Sequence, residues 1–130
     1  MKANLLVCLL FTQMAFAQPA LYEQMLPVST PQMTPGKVAS RAITVHVPRP
    51  LFIVGDDALS HRWLAAYASQ LKKMNAVGMI VNVRTPQGLQ RFSRYPLQTY
   101  PIQGHDVMNT FSLSHYPVLI HDGKITQIIK

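Results

Sequence analysis

The sequence predicts an α/β domain with a mixed sheet, on three observations. Two unbroken apolar runs, LFIV (51–54) and AVGMIVNV (76–83), flank a stretch whose apolar residues recur at spacings of three and four. Unbroken runs suit strands covered on both faces, and a helix between them supplies the crossover that parallel strands require. At the far end PVLI, HDGK and ITQII read as a strand, a turn and an alternating strand, which together make an antiparallel hairpin. The predicted order is β-α-β-α-β-α-β-β.

The elements follow in turn. After Pro50, LFIV ends at Gly55 and is followed by Asp56 and Asp57. Ser60 is the expected N-cap of the first helix, whose inner face would carry Leu59, Trp63, Tyr67, Leu71 and Met74, ending near Asn75. After the second buried run, Pro86 stands where a first helical residue is expected, for a short helix through Leu89 and Phe92. LQTYPI is a poorer third strand, and HDVMNTFS (105–112) is a short helix with Val107, Met108 and Phe111 inward. In the hairpin, Asp122-Gly123 supplies the turn, because glycine tolerates positive φ.

Ahead of this domain (51–130) stand two segments of another character. Residues 1–17 combine the basic Lys2, an apolar stretch from Leu5 to Phe16 and small residues at Ala15 and Ala17, the layout of a secretory signal peptide cleaved near Ala17. As an uncleaved anchor the stretch would be short, since about 20 apolar residues span a bilayer. No membrane span is expected after cleavage, and the chain is expected in the periplasm. From 18 to 50 prolines at 19, 27, 31, 35, 48 and 50 forbid continuous helix and make an extended arm. Within it Pro35-Gly36 signals a turn, and Leu26, Val28, Met33 and Val38 would either lie against the domain or belong to a disordered tether.

The only cysteine, Cys8, leaves with the signal, so the mature chain can form no disulfide and no thiolate. The formal charge of +7 falls to +6 without Lys2 and is dispersed among Arg41, Arg49, Arg62, Lys72, Lys73, Arg84, Arg91 and Arg94. Readers of nucleic acid carry denser basic and aromatic clusters, so direct nucleic-acid binding is not expected.

A parallel strand pair with its helix, followed by an aromatic-Pro-apolar strand and a glycine-turn hairpin, resembles the thioredoxin fold. That resemblance implies a cis bond at Tyr116-Pro117, facing the N-terminus of the first helix. It also places residues 56–60 where the redox cysteines belong; here they read DDALS, which removes the nucleophile of disulfide exchange. The combination of LPVSTPQMTPGKV, GDDALSHRWL, AVGMIVNV and SLSHYPVLI resembles more closely a family of exported proteins of integrating conjugative elements, encoded beside type IV secretion genes. That resemblance implies a cell-envelope protein serving conjugation, with no known catalytic residues.

The expected function is therefore non-catalytic: an accessory or assembly component that binds other proteins of the secretion apparatus, with no small-molecule substrate, cofactor or metal. The expected groove runs from Asp56, Asp57 and Ser60 past Trp63 to His115, Tyr116 and Pro117, although a tryptophan at such a helical position is more often simply core. A metal site at Asp56, Asp57 and His61 supplies too few ligands, and Ser60 with His61 is a poor hydrolytic pair because neighbours on a helix point apart. The alternative is an envelope enzyme, either a metal-dependent hydrolase or a thiol-disulfide related factor.

Overall fold

The computed structural model describes residues 21–130. The expected signal peptide, its cleavage near Ala17 and Cys8 lie outside these residues. After a helical turn at 21–24 the elements are β1 (Thr34–Pro35), β2 (Arg41–Ala42), β3 (Leu51–Gly55), α1 (Ala58–Lys73), β4 (Val77–Asn82) and α2 (Pro86–Gln90). A 3-10 turn (Arg91–Arg94), β5 (Gln98–Pro101), α3 (His105–Phe111), β6 (His115–Tyr116), β7 (Val118–His121) and β8 (Lys124–Thr126) complete the chain.

The fold is mixed α/β. Six strands form one sheet in the order β2-β8-β7-β3-β4-β5; β3, β4 and β5 are parallel, and β7, β8 and β2 join antiparallel. The Tyr116-Pro117 peptide is cis, as the sequence led us to expect, and so is Leu26-Pro27.

Alternation along the strands splits the core into two layers. Phe52, Val54, Ile80 and Leu119 face α1 and pack with Trp63, Leu64, Leu71, Phe92 and Tyr95. Ile53, Val81, Val118 and Ile120 face the other way, against Met33, Val107, Phe111 and Tyr116. Both faces of the central strands are covered, which is why their sequences run without polar alternation.

The ends of α1 show how local chemistry sets its bounds. Its N-cap is Asp57 rather than the expected Ser60: Asp57 accepts the Ser60 amide at 2.8 Å, placing Ser60 in the first helical turn. At the C-terminus Asn75 takes φ 58°, its amide donates to Lys72 O and that of Ala76 donates to Leu71 O, which is a Schellman closure. The helix therefore stops at Lys73, two residues before the expected Asn75. Arg49 then fastens this turn, donating to Asn75 O at 2.7 Å and to the Asn75 side chain at 3.0 Å. α2 begins at Pro86 as expected, with Thr85 accepting the Gly88 amide at 3.0 Å. In the hairpin both turn residues have positive φ, 54° at Asp122 and 70° at Gly123, matching a type I′ turn.

The arm takes the first of its two expected courses, against the domain, but turns at a different place. From Val28 to Ala42 it is laid onto the domain, and it contributes two strands. Val28 exchanges both backbone hydrogen bonds with Val83 (2.8 and 3.0 Å). The chain turns at Thr30–Met33, where the Met33 amide donates to Thr30 O, so the turn uses Pro31 rather than Pro35-Gly36. Pro35 instead lies in β1, which pairs in parallel with β6.

Candidate functional site

The loop after β3 carries the position where the thioredoxin resemblance places a redox motif. Ser60 is completely buried. Its hydroxyl accepts the Gly55 amide at 3.1 Å and donates to Asp57 at 3.0 Å, so both its hydrogen-bonding roles serve the strand-helix junction. Asp57 in turn is spent on capping the helix.

Asp56 has a different task. Its carboxylate accepts from His61 Nε2 at 2.8 Å and from the Arg91 guanidinium at 2.7 Å. A carboxylate can only accept, so Nε2 carries a proton; Nδ1 lies 2.9 Å from Tyr95 Oη. Tyr95 also donates to the His61 carbonyl at 3.2 Å, and the imidazole packs against Phe92 with ring centroids 4.8 Å apart. Burial raises the Tyr95 phenol above its usual range, against the lowering pull of Arg94. Both ring nitrogens of His61 are thus engaged, and Ser60 and His61 bond to different partners. The sequence signals missed here are Tyr95 and Arg91, which come from the segment after α2.

On the opposite face a polar hub joins the arm to the proline edge. Asn82, at the end of β4, accepts the Thr30 amide at 2.7 Å and donates to Met33 O at 3.1 Å and to Tyr116 Oη at 3.0 Å. A shift of register between Val54 and Gly55 sets Asn82 opposite Gly55, a bulge at the edge of the site. Thr30 is fully buried; its hydroxyl donates to Val81 O at 2.9 Å and accepts the Gly104 amide at 2.8 Å. The Tyr116 ring lies over Gly55, where even a methyl group would come within 2.6 Å of Oη. Burial raises the Tyr116 phenol; the Asn82 hydrogen bond opposes this and the Asp57 charge adds to it.

These contacts decide which expected site residues meet. Asp57 and Ser60 come together with each other, and Tyr116 lies close to Gly55 beside them. Trp63 does not join them: it belongs to the layer on the other side of the sheet, 6% exposed, edge-on to Tyr67 with centroids 5.6 Å apart. Its indole donates to Gln127 O at 2.6 Å, and the Gln127 side chain donates to Gly36 O (2.8 Å) and Pro117 O (3.0 Å). Trp63 therefore reaches Pro117 only through Gln127.

Pro117 and Tyr116 are buried, and the β6 edge is already paired with the chain's own Thr34–Pro35. Only His115 is exposed there, and its Nδ1 lies 3.0 Å from Thr34 Oγ1. The β6 side of the expected groove is occupied by the arm. Asp56 instead borders a cleft of about 550 Å³ shared with Val28, Ser29, Asn82, Arg84 and Thr85. Among the described residues no group of three or more His, Cys, Asp or Glu side chains is placed to hold a metal ion. No helix among them is long and apolar enough to cross a membrane.

Residues 11–125 match the family described as Protein of unknown function (DUF2859). The chain belongs to this family. The match spans the arm as well as the sheet, so the DUF2859 unit includes the segment that fills the proline edge. No curated protein and no solved structure matches the chain.

Proposed function

We propose that this DUF2859 chain is an exported, non-catalytic component of the conjugative type IV secretion system of an integrating conjugative element, and that it works by binding another envelope protein. Its scaffold is read as a thioredoxin-like domain without redox cysteines. The run β3-α1-β4, with β7 and β8 returning antiparallel beside β3, supports that reading. The conjugative assignment and the periplasmic location rest on the sequence resemblance.

One observation carries the choice of binding over chemistry. Every polar side chain at the vacated redox position is bonded inside the protein: Ser60 to Gly55 and Asp57, Asp57 to Ser60, and Asp56 to His61 and Arg91. A nucleophile must be reachable and lie beside its base. Ser60 is fully buried with its proton given to Asp57, and His61 is turned to Asp56 and Tyr95 rather than to Ser60, which disfavours the hydrolase alternative. The thiol alternative lacks its cysteine after signal cleavage.

The test is site-specific photocrosslinking in donor cells, with the reactive residue at Ala58, which is exposed, rather than at the buried Ser60. A defined adduct with one secretion component, together with loss of DNA transfer on deletion, supports the proposal. Normal transfer without the protein, or export and transfer with no adduct from any exposed position of α1, contradicts it.

A further inference from the structure

The layer formed by α1 and residues 84–94 is strongly and one-sidedly charged. Along α1 the exposed positions Ala58, Arg62, Ala65, Ser69 and Lys72, with Lys73 beside them, recur at helical spacing and make one outward stripe. Arg84, Arg91 and Arg94 are exposed on the neighbouring segment, which packs into the same core layer through Leu89, Phe92 and Tyr95. The acids of this layer are Asp56 and Asp57, the first paired with His61 and Arg91 and the second capping α1. Among the described residues Arg62, Lys72, Lys73, Arg84 and Arg94 have no ion-pair partner. Glu23 sits at the border, across a cleft from Gln90 and Ser93, while Asp106 and Asp122 lie in α3 and the β7–β8 turn.

The chemistry of the face selects among polyanions. Trp63, Phe92 and Tyr95 are buried and only Tyr67 is partly exposed, so bases would find little to stack on. Neither α1 nor residues 84–94 exposes a large apolar side chain; among the described residues those are Leu21, Met25, Val45, Ile102 and Ile128, of which Leu21 and Met25 flank Glu23 at the border, so α1 itself has nothing to insert into a lipid layer. What remains is a shallow alanine and serine strip between Arg62 and Lys72, cations about 15 Å apart at 1.5 Å per residue. A strip of that shape admits the backbone of another helix, with carboxylates facing the cations at either end.

We infer that this face of α1, with Arg62, Lys72 and Lys73, docks an acidic helix of the protein partner. The inference deepens the binding reading above and rests on it. It also accounts for how a domain whose proline edge is filled by its own arm still presents a recognition surface. Electrostatic complementarity of this kind sets partner choice and association rate, and it weakens with salt.

The test is fluorescence anisotropy of the purified protein at low ionic strength, with three probes: a glutamate-bearing alanine-based helical peptide, an oligothymidylate, and phosphatidylcholine vesicles containing phosphatidylglycerol. The expected result is salt-sensitive binding of the peptide ahead of the other two, weakened about tenfold or more by combined Arg62→Glu, Lys72→Glu and Lys73→Glu. Reversal of Lys37 and Lys124, on the arm and the hairpin, should leave it unchanged. Thermal melts of both variants check folding; a modest fall in midpoint is expected where Lys72 and Lys73, in the last turn of α1, are reversed against the helix dipole. Absence of peptide binding, equal weakening by both reversals, or tighter binding of the oligonucleotide or vesicles overturns the inference. Such a failure leaves the crosslinking result standing, whereas a failed crosslink with normal transfer removes the binding reading itself.

Discussion

Pro35 lies directly across from Tyr116 in a parallel pairing, fixed by the Thr34 amide on Ser114 O and the Gly36 amide on Tyr116 O, both at 3.0 Å. Proline has no amide to offer, so β1 bonds through the residues on either side of it. The arm thus supplies the extended strand that an open edge would otherwise take from a partner. Because Val28, Thr30 and Met33 are all buried, this strand is held by packing as well as by hydrogen bonds.

Met33→Ala should therefore destabilise the whole domain rather than merely loosen the arm. Met33 is 1% exposed and packs in the layer with Val81 and Tyr116. Removing it leaves a cavity costing about 2–5 kcal/mol. Urea unfolding should show a lower midpoint with one cooperative transition; a wild-type midpoint would contradict the packing.

Asn82→Ala removes three of the hub's contacts at once and leaves the Thr30 amide without its acceptor. A cost of about 2–4 kcal/mol is expected, since an unsatisfied buried donor carries its desolvation penalty in full. Limited proteolysis should cut the variant first within the arm, and Asn82→Asp should rescue less than full stability because a carboxylate cannot donate to Met33 O.

Asp57→Ala removes the cap of α1 and one partner of the buried Ser60 hydroxyl. The expected loss is about 1–3 kcal/mol, with Asp57→Asn retaining part of the cap. Chemical denaturation of the two variants measures the difference. Equal stability of all three proteins would mean that Asp57 is not fixed on the helix.

The alkaline limb of stability follows from Tyr116 and Tyr95. Burial is the leading cause that raises both phenols above the ordinary 10.0. A phenol whose folded value is raised contributes stability that is complete below the unfolded value and is lost as pH climbs through the folded one. Unfolding free energy should therefore fall as pH rises beyond 10.0, and Tyr116→Phe should flatten that slope even though it costs the Asn82 contact.

The sheet was legible because its strands are buried on both faces and so announce themselves as unbroken apolar runs. The start of α2 and the hairpin were legible because Pro86 and Asp122-Gly123 have narrow backbone preferences. The arm was not. Val28, Thr30 and Met33 are single residues in a proline-rich segment with no periodicity, and their partners Val83, Val81, Asn82 and Gly104 lie more than 50 residues away. Asp56 and His61 were brought together only as a metal site that lacked ligands; the bonded set they form with Arg91 and Tyr95 was missed for a related reason, since those two reach it from beyond the next strand. Trp63 was drawn toward Tyr116 by its aromatic character, whereas the two pack in different layers, Trp63 with Leu119 and Tyr116 with Val118 and Ile120.

The arm is held as an integral part of the fold along the proline edge, and native-state hydrogen exchange at the amides of Val28, Thr30, Thr34 and Gly36 tests this. Val28 and Thr30 should exchange with the free energy of global unfolding, together with Ile53 and Ile80 in the central strands, while Thr34 and Gly36 stay strongly protected. Exchange of all four at the rate of an open segment, while Ile53 and Ile80 remain protected, would contradict it.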